Sequence, residues 1–262
     1  MAAYKISIVT VSYNAKDTIG ETIESVLCQK NENVEYVIID GGSTDGTLEI
    51  IARYGDNIDK VISEPDNGIS DAFNKGIKNS TGDIICIVNS DDVLYGGTID
   101  IARSFFSADS ELDILYGDAR MFTDDVEQGY IFKADTDLTK LRYSFRLPHP
   151  GMFIARKAYD KFGMYDVALK NAMDYELVAR MYMGGAKLQY ADTIMAGFRE
   201  GGTSSSALSR TLKELRAIAK NNGAGIFERE GYIAHIYLRR LTAPILKALG
   251  IENILHKIVK GY

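Results

Sequence analysis

The chain has 262 residues, enough for one large domain or a domain with a modest appendage. Its 46% hydrophobic and 25% charged residues are those of an ordinary globular protein, which excludes a disordered or collagen-like chain. The net charge of −6 is unevenly spread: from Thr203 onward ten Lys/Arg face four Glu, so this segment carries +6 and the body before it −12, an asymmetry that asks for a partner at the tail end.

The first hundred residues alternate strand and helix. Ile6 to Val11 is a near-continuous β-branched run, and Asp17 to Gln29 places Ile19, Ile23, Val26 and Leu27 on one helical face. Tyr36-Val-Ile-Ile-Asp40 is a second strand, Leu48, Ile51 and Ala52 start a second helix, and Lys60-Val-Ile-Ser63 is a short third strand. Ile69, Ala72, Phe73 and Ile77 mark a third helix before a fourth apolar strand, Asp83 to Val88. Strands apolar throughout are buried on both faces, which predicts a parallel sheet covered by helices. Beyond Asp92 the alternation loosens. Asp113 to Asp118 and Ala119 to Phe122 read as strand material, Gly151 to Ala155 as another strand, and Asp174 to Met183 as a helix. Gly201 to Ser206 reads as a turn-rich stretch, either a lid over a bound ligand or a plain linker. From Ala207 the pattern is helical, with breaks expected at Gly223-Ala-Gly225, Pro244 and Gly250.

Cys28 and Cys86 are both flanked by apolar residues and read as reduced core thiols; with three scattered histidines they give no zinc spacing. The N-terminus enters a strand at once, without the basic and apolar regions of a secretory leader, and no run approaches the roughly 18 apolar residues of a spanning helix. A cytoplasmic protein is expected. The tail sets Ile233, Ile236, Tyr237 and Leu241 beside Arg239 and Arg240, a composition that suits peripheral contact with an anionic membrane face, helix packing on the main domain, or a homodimer. Nothing points to nucleic acid.

In an open parallel sheet, ligands sit beyond the carboxyl ends of the strands. Here those ends read Thr10-Val-Ser-Tyr-Asn14, Asp40-Gly-Gly-Ser-Thr-Asp-Gly-Thr47, Glu64-Pro-Asp-Asn-Gly68 and Asn89-Ser-Asp-Asp92. One such end is ordinary turn chemistry; four in succession mark a site. A P-loop and a dinucleotide fingerprint are both missing, so a diphosphate here needs another neutralising group. A carboxylate-held divalent cation supplies one, with Asp91 and Asp92 as hard-oxygen ligands. Asp45 reads as a cap for the helix at Thr47, and Asp71 with Lys75 as either a helix-surface pair or nucleotide contacts.

Three of these strand ends, Thr10 to Asn14, Asp40 to Thr47 and Asn89 to Asp92, with the Asp71-Ala-Phe-Asn-Lys-Gly76 run, closely resemble family 2 glycosyltransferases of the bacterial polysaccharide type, over about Lys5 to Ser206. The resemblance implies a GT-A fold: a Rossmann-like α/β sheet, mostly parallel and flanked by helices. Residues 1–206 would form the catalytic domain, with a nucleotide half 1–92 and an acceptor half 93–206, and residues 207–262 a basic helical segment. It further implies that Thr10, Ser12, Tyr13, Asn14 and Asp40 hold the nucleoside, that Asp71 and Lys75 face the nucleotide, and that Asn89, Ser90, Asp91 and Asp92 form the diphosphate and metal signature, with Mn²⁺ or Mg²⁺ bound chiefly by Asp91. Asp174 maps to the base, and His149 to a contact with acceptor or donor. Two positions depart from the family pattern: Asn89 replaces the first acid of the signature, and Met173 stands where an acid often precedes the base.

The activity implied is inverting transfer of a sugar from a nucleotide-sugar, a UDP-sugar in the first instance, to a hydroxyl of a glycan or lipid-linked saccharide. A nucleotidyltransferase and a non-catalytic nucleotide-sugar-binding relative stay open as alternatives. The first would want a Gly-rich basic loop after strand one, where Ser12-Tyr-Asn-Ala-Lys16 stands; the second is kept open by Asn89.

Overall fold

The computed structural model describes residues 4–201 and 208–248. Nine strands form one sheet: β1 (Ile6–Ser12), β2 (Val34–Asp40), β3 (Lys60–Ser63), β4 (Ile84–Asn89), β5 (Val93–Leu94), β6 (Ile114–Phe122), β7 (Tyr130–Phe132), β8 (Phe153–Ala155) and β9 (Leu188–Arg199). Their order is β3-β2-β1-β4-β8-β6-β9-β5, with β7 on β6. Strands β1 to β4 run parallel, β8 is antiparallel between β4 and β6, and β6 pairs in parallel with β9.

The helices are α1 (Ile19–Leu27), α2 (Thr47–Ala52), α3 (Ile69–Asn79), α4 (Thr98–Ala108), α5 (Arg156–Phe162), α6 (Met173–Met183), α7 (Leu208–Asn221) and α8 (Ile226–Ala248). Strand side chains alternate between faces, and the core divides accordingly. Ile6, Ile8, Ile38 and Cys86 pack with Ile19 and Ile23 of α1 and with Ile99 and Phe106 of α4. Val9, Val11, Ile39 and Ile87 pack on the other face with Phe73 and Ile77 of α3 and with Leu177 and Val178 of α6. A third cluster joins the outer face of α6, through Tyr175 and Ala179, to Leu212, Leu215 and Ile218 of α7 and Ile233 of α8.

Several expectations need adjusting. The two segments of strand material form one strand, β6, which starts at Ile114, one residue after Asp113, and whose register against β9 shifts at Gly117 to Ala119. Cys86 is buried but Cys28 is exposed; both thiols are free. The helical face of α1 turns Val26 inward and leaves Cys28 beyond its last turn. The tail breaks at Gly223 between α7 and α8, but α8 runs on through Pro244. A proline costs a helix one backbone bond and a clash with the preceding turn, and here the element continues one more turn to Ala248. Most of the Gly201–Ser206 stretch and everything after Ala248 lie outside the described residues.

The contact of α3 with β1 is the tightest point under the site. A Cβ at Gly76 would lie 2.3 Å from Cγ1 of Val9. Gly76→Ala therefore gains helix propensity but must overpack a fully buried seam. We expect a net loss of about 1–3 kcal/mol, read as a lower urea midpoint with an unchanged slope.

Candidate active site

Parallel pairing aligns the strand ends. Ser12 lies opposite Asp40 across β1 and β2, and Val11 opposite Asn89 across β1 and β4. Asp40 is fully buried. Its Oδ2 accepts from the N–H groups of Gly42 (3.0 Å) and Ser43 (2.9 Å) and from the Ser63 hydroxyl (2.7 Å), while the Ser43 hydroxyl donates to Oδ1. In this arrangement the Asp40 carboxylate folds its own loop. Asn14, at φ +50°, crosses to the same loop: its N–H donates to Ser43 Oγ, and its Oδ1 accepts from Thr44 N–H. Tyr13 is 66% exposed and lies against Gly41, where a Cβ would lie 2.5 Å from Asp66 Oδ2 and 3.3 Å from Tyr13 Cδ2. An open aromatic face above a glycine floor suits a flat heterocycle. Thr10, by contrast, is wholly buried with its hydroxyl 3.0 Å from Tyr36 OH, inside the sheet and away from the rim.

On α3, Asp71 Oδ2 accepts from Asn67 N–H at 3.0 Å, which ties the turn entering the helix. Lys75 pairs with Glu64 at 2.8 Å, more closely than with Asp71 at 3.8 Å. Asp45 accepts from Thr47 N–H and from Lys16 N–H, so it fixes the start of α2.

The end of β4 separates two adjacent carboxylates. Asp92 is 1% exposed; its Oδ1 accepts from Arg199 N–H and its Oδ2 from Asn89 Nδ2, both at 3.0 Å. Burial, reinforced by the charge of Asp91, pushes its carboxyl well above the usual range. Among the described residues no side chain donates a hydrogen bond to the Asp91 carboxylate, and burial raises it too. Arg199 organises both: its Nε donates to the Asp91 carbonyl (3.1 Å), its other nitrogens to Thr123 O and Glu21, and its guanidinium lies 4.4 Å over the Phe122 ring. Ser90 is buried and donates its N–H to Val11 O. The side-chain oxygens Ser12 Oγ and Asn89 Oδ1 are buried with no hydrogen-bond partner. Buried orphan acceptors at neighbouring strand ends are what a bound polar ligand satisfies.

A second group lies between β6, β9 and α6. A cavity of about 220 Å³ is walled by Phe132, Phe145, Pro148 and Phe198 and also lined by His149 and Asp174. Asp174, in the first turn of α6, keeps 26% of its side chain exposed, while its Oδ1 is enclosed and has no hydrogen-bond partner. His149 Nε2 stands 3.5 Å from that oxygen and 2.7 Å from Tyr165 OH, with the imidazole stacked on Phe73 at 5.3 Å. Burial raises the Asp174 carboxyl, and a charged His149 opposes that shift. Glu176 points elsewhere, paired with Arg180 at 2.7 Å. Phe198 lines this cavity and the next residue, Arg199, holds the β4 end, so one strand joins the two groups. A larger cavity of about 380 Å³, lined by Asp113, Lys157 and Lys187 among others, lies at the opposite ends of the strands.

With this geometry in place, comparison with known proteins is informative. Residues 7–161, more than half of the chain, match the family described as Glycosyl transferase family 2. The chain belongs to that family. It is a glycosyltransferase. A "PGL/p-HBAD biosynthesis glycosyltransferase" of Mycobacterium bovis (strain BCG / Pasteur 1173P2) is 27% identical over 261 residues, covering 97% of this chain and 98% of that one. An uncharacterized glycosyltransferase of Rickettsia typhi is 26% identical over 223 residues, 81% of this chain and 70% of its own. Among solved structures, S. aureus TarS 1-349 in complex with UDP-GlcNAc superposes with a TM-score of 0.66 at 20% identity, covering 91% of this chain and 73% of that one. The mannosyltransferase PcManGT from Pyrobaculum calidifontis, in complex with GDP-Man and Mn2+, gives 0.66 at 17% identity, covering 97% and 81%. The fold is GT-A.

Sequence reasoning did not reach Arg199, Tyr165 or Asp66. Arg199 closes a strand that the hydrophobic pattern did not reveal, and Tyr165 sits in a loop with no local signature. Only Asp66, inside the quoted Glu64 to Gly68 turn, carried a signal.

Among the described residues no group of three or more His, Cys, Asp and Glu is arranged to hold a metal. The donor set is one open carboxylate, Asp91, beside one already bonded, Asp92. Such a set fits a hard cation that takes most of its oxygens from diphosphate and water. The two acids should then separate on substitution. Asp91→Asn should weaken Mn²⁺-dependent UDP binding roughly tenfold or more, whereas Asp92→Asn, which keeps an acceptor for Arg199 N–H, should stay within about threefold. Isothermal titration of both variants decides it; equal losses would mean that both acids ligate.

Proposed function

We propose that the chain is an inverting transferase that moves a sugar from a nucleotide-sugar, a UDP-sugar in the first instance, to a hydroxyl of a glycan or lipid-linked saccharide. The observation that carries this reading is the enclosed, unpartnered carboxylate oxygen of Asp174 on the wall of an aromatic cavity, joined through β9 to the open carboxylate of Asp91. TarS bound to UDP-GlcNAc and PcManGT bound to GDP-Man and Mn2+ support a nucleotide-sugar donor and a divalent cation. Residues 1–206 would be the catalytic domain, with residues 207–262 as a basic helical segment.

In this reading Tyr13 and the Asp40 loop receive the base and ribose, and Ser12, Asn89 and Ser90 line the ribose and diphosphate path, with Asp71 and Lys75 at its side. Asp91 would hold Mn²⁺ or Mg²⁺, which when bound offsets the charge of the departing diphosphate. Asp174 takes the proton of the acceptor hydroxyl as that oxygen attacks the anomeric carbon. The sugar–oxygen bond forms on one face as the bond to diphosphate breaks on the other, so a single displacement inverts the centre. The Phe132, Phe145 and Phe198 walls would carry the apolar face of a sugar or its aglycone, with His149 at their edge.

The α8 surface bears on the acceptor. Phe227 is 91% exposed and Leu238 and Leu241 are each 60% exposed, and Arg240 is exposed on the same helix. No helix of the described residues is long and apolar enough to cross a membrane. Apolar residues with flanking bases support peripheral binding to an anionic bilayer, where a lipid-linked acceptor would be met, on the cytoplasmic side. Co-sedimentation with vesicles containing anionic lipid should be lost in Phe227→Ser/Leu238→Ser; a salt-resistant homodimer through the same face would overturn it.

The activity test is nucleotide release from UDP-GlcNAc and GDP-mannose with Mn²⁺. Turnover should need metal and fall about a hundredfold or more in Asp174→Asn. A base works ionised, so the rate should climb with pH through the raised carboxyl. His149→Gln removes the group that opposes the rise, and its acid limb should move to higher pH. The stability sign is opposite: a carboxyl raised in the folded state contributes stability that is present below its unfolded pKa and lost as pH rises. Asp174→Asn should therefore melt higher than wild type at pH 8 and show no such gain at pH 4. Metal-independent release, or wild-type turnover in Asp174→Asn, would sink the mechanism.

A further inference from the structure

The helix that carries Asp174 lacks a capping side chain of its own: its N-cap is Ala172. The chain entering it is held from a distance by Glu214 of α7. Lys170 N–H donates to Glu214 Oε1 at 3.1 Å, and the N–H groups of Asn171 and Ala172 donate to Oε2 at 3.0 and 2.9 Å. Three consecutive backbone donors thus converge on one carboxylate, 42 residues beyond Ala172. Charge-assisted bonds of this kind are roughly twice as strong as neutral ones.

The same segment is held on its other side by α3. Asn74 Nδ2 donates to Tyr165 O and Asn74 Oδ1 accepts from Tyr165 N–H, at 2.9 and 3.0 Å, while the Ser70 hydroxyl donates to Leu169 O at 3.0 Å. Lys170 Nζ reaches Asn67 O at 2.6 Å. The loop from Tyr165 to Ala172 is therefore pinned at its start by α3 and at its end by α7, and Asp174 follows two residues later. The apolar seam of Leu212, Leu215 and Ile218 against Ala172, Tyr175 and Ala179 keeps Glu214 in place.

We propose that Glu214 is a positioning residue for sugar transfer, setting where the Asp174 carboxylate stands relative to the acceptor hydroxyl. The basic helical segment then completes the active site, in addition to any surface it binds. This rests on reading Asp174 as the base. Glu214 touches no reacting atom; it acts through the lead-in to α6. A displacement of the order of 1 Å far from the chemistry can cost about a hundredfold in rate, and Glu214 is the group whose loss frees that lead-in.

The test uses the full chain with whichever of UDP-GlcNAc and GDP-mannose it turns over with Mn²⁺. Glu214→Ala should lower kcat about ten- to a hundredfold, while donor KM and the Kd for UDP or GDP with Mn²⁺ stay within about threefold, because α3 still holds the nucleotide side. Glu214→Gln, which keeps one acceptor oxygen, should be intermediate and remains informative if the alanine variant does not fold. Glu214→Ala added to Asp174→Asn should cost nothing further in kcat, since a misplaced asparagine is no worse a base than a well-placed one. Wild-type kcat in both Glu214 variants would overturn the proposal. So would kcat, nucleotide affinity and melting temperature falling together, with additive loss in the double variant, because that is the pattern of a merely structural contact. Wild-type turnover in Asp174→Asn instead brings down the base assignment itself, and separates that failure from this one.

Discussion

The site depends on one constraint: β1 is paired in parallel, without a register break, to β2 on one side and β4 on the other. Because all three strands end on the same side, the turns after Ser12, Asp40 and Asn89 are forced together. Each strand is buried on both faces along nearly all its length, so register is fixed by two buried faces at once. A one-residue slip would exchange the side chains packed on α1 and α4 for those packed on α3 and α6. The polar residues beyond the strands are then delivered to one rim by a core that contains none of them.

What the rim does with its carboxylates divides them. Asp40, Asp71 and Asp92 are bonded by nearby N–H, hydroxyl or amide groups, and each fixes a turn at or beside the strand ends. Asp91 and Asp174 keep oxygen that no side chain hydrogen-bonds, in surroundings that favour the neutral acid. A carboxylate held in that state is costly for the fold and useful for chemistry. The first set builds the geometry; the second keeps the charge that a cation or a hydroxyl proton can use. Residue type alone does not separate the sets, since all five are aspartates in turns or first helical turns.

That is also why the sequence was informative to a definite depth. Strands β1, β2 and β4 were legible because continuous β-branched runs have few alternatives, and α1 and α3 because their apolar faces repeat at helical spacing. The strand β9 was not, since exposed Gln189 and Asp192 and the register shift opposite Gly117 break any period. Losing β9 meant losing Arg199, whose partners Asp91 and Asp92 lie more than a hundred residues earlier. Helix α4 was missed although Ile99, Ala102 and Phe106 carry a helical spacing; the short strand β5 just before it interrupts the pattern. Which carboxylates were open and which were bonded was legible only in part: Asp40 and Asp71 accept from N–H groups within four residues, whereas Asp92 depends on the N–H of Arg199 in a distant strand.

The long-range partners share a logic. Arg199 and Glu214 are each charged side chains that end on backbone groups, Arg199 on the carbonyls of Asp91 and Thr123, Glu214 on the N–H groups of Lys170, Asn171 and Ala172. Both immobilise the loop that carries an unpaired aspartate without touching that aspartate's carboxylate through a charged head. A permanent ion pair with lysine or arginine would lower the acid's pKa. Holding the backbone instead leaves the acid's charge unspent while fixing where it points. Both acids are thus fixed through their backbone, and the Asp174 carboxylate meets His149 at 3.5 Å, a pairing that carries charge only while the imidazole is protonated.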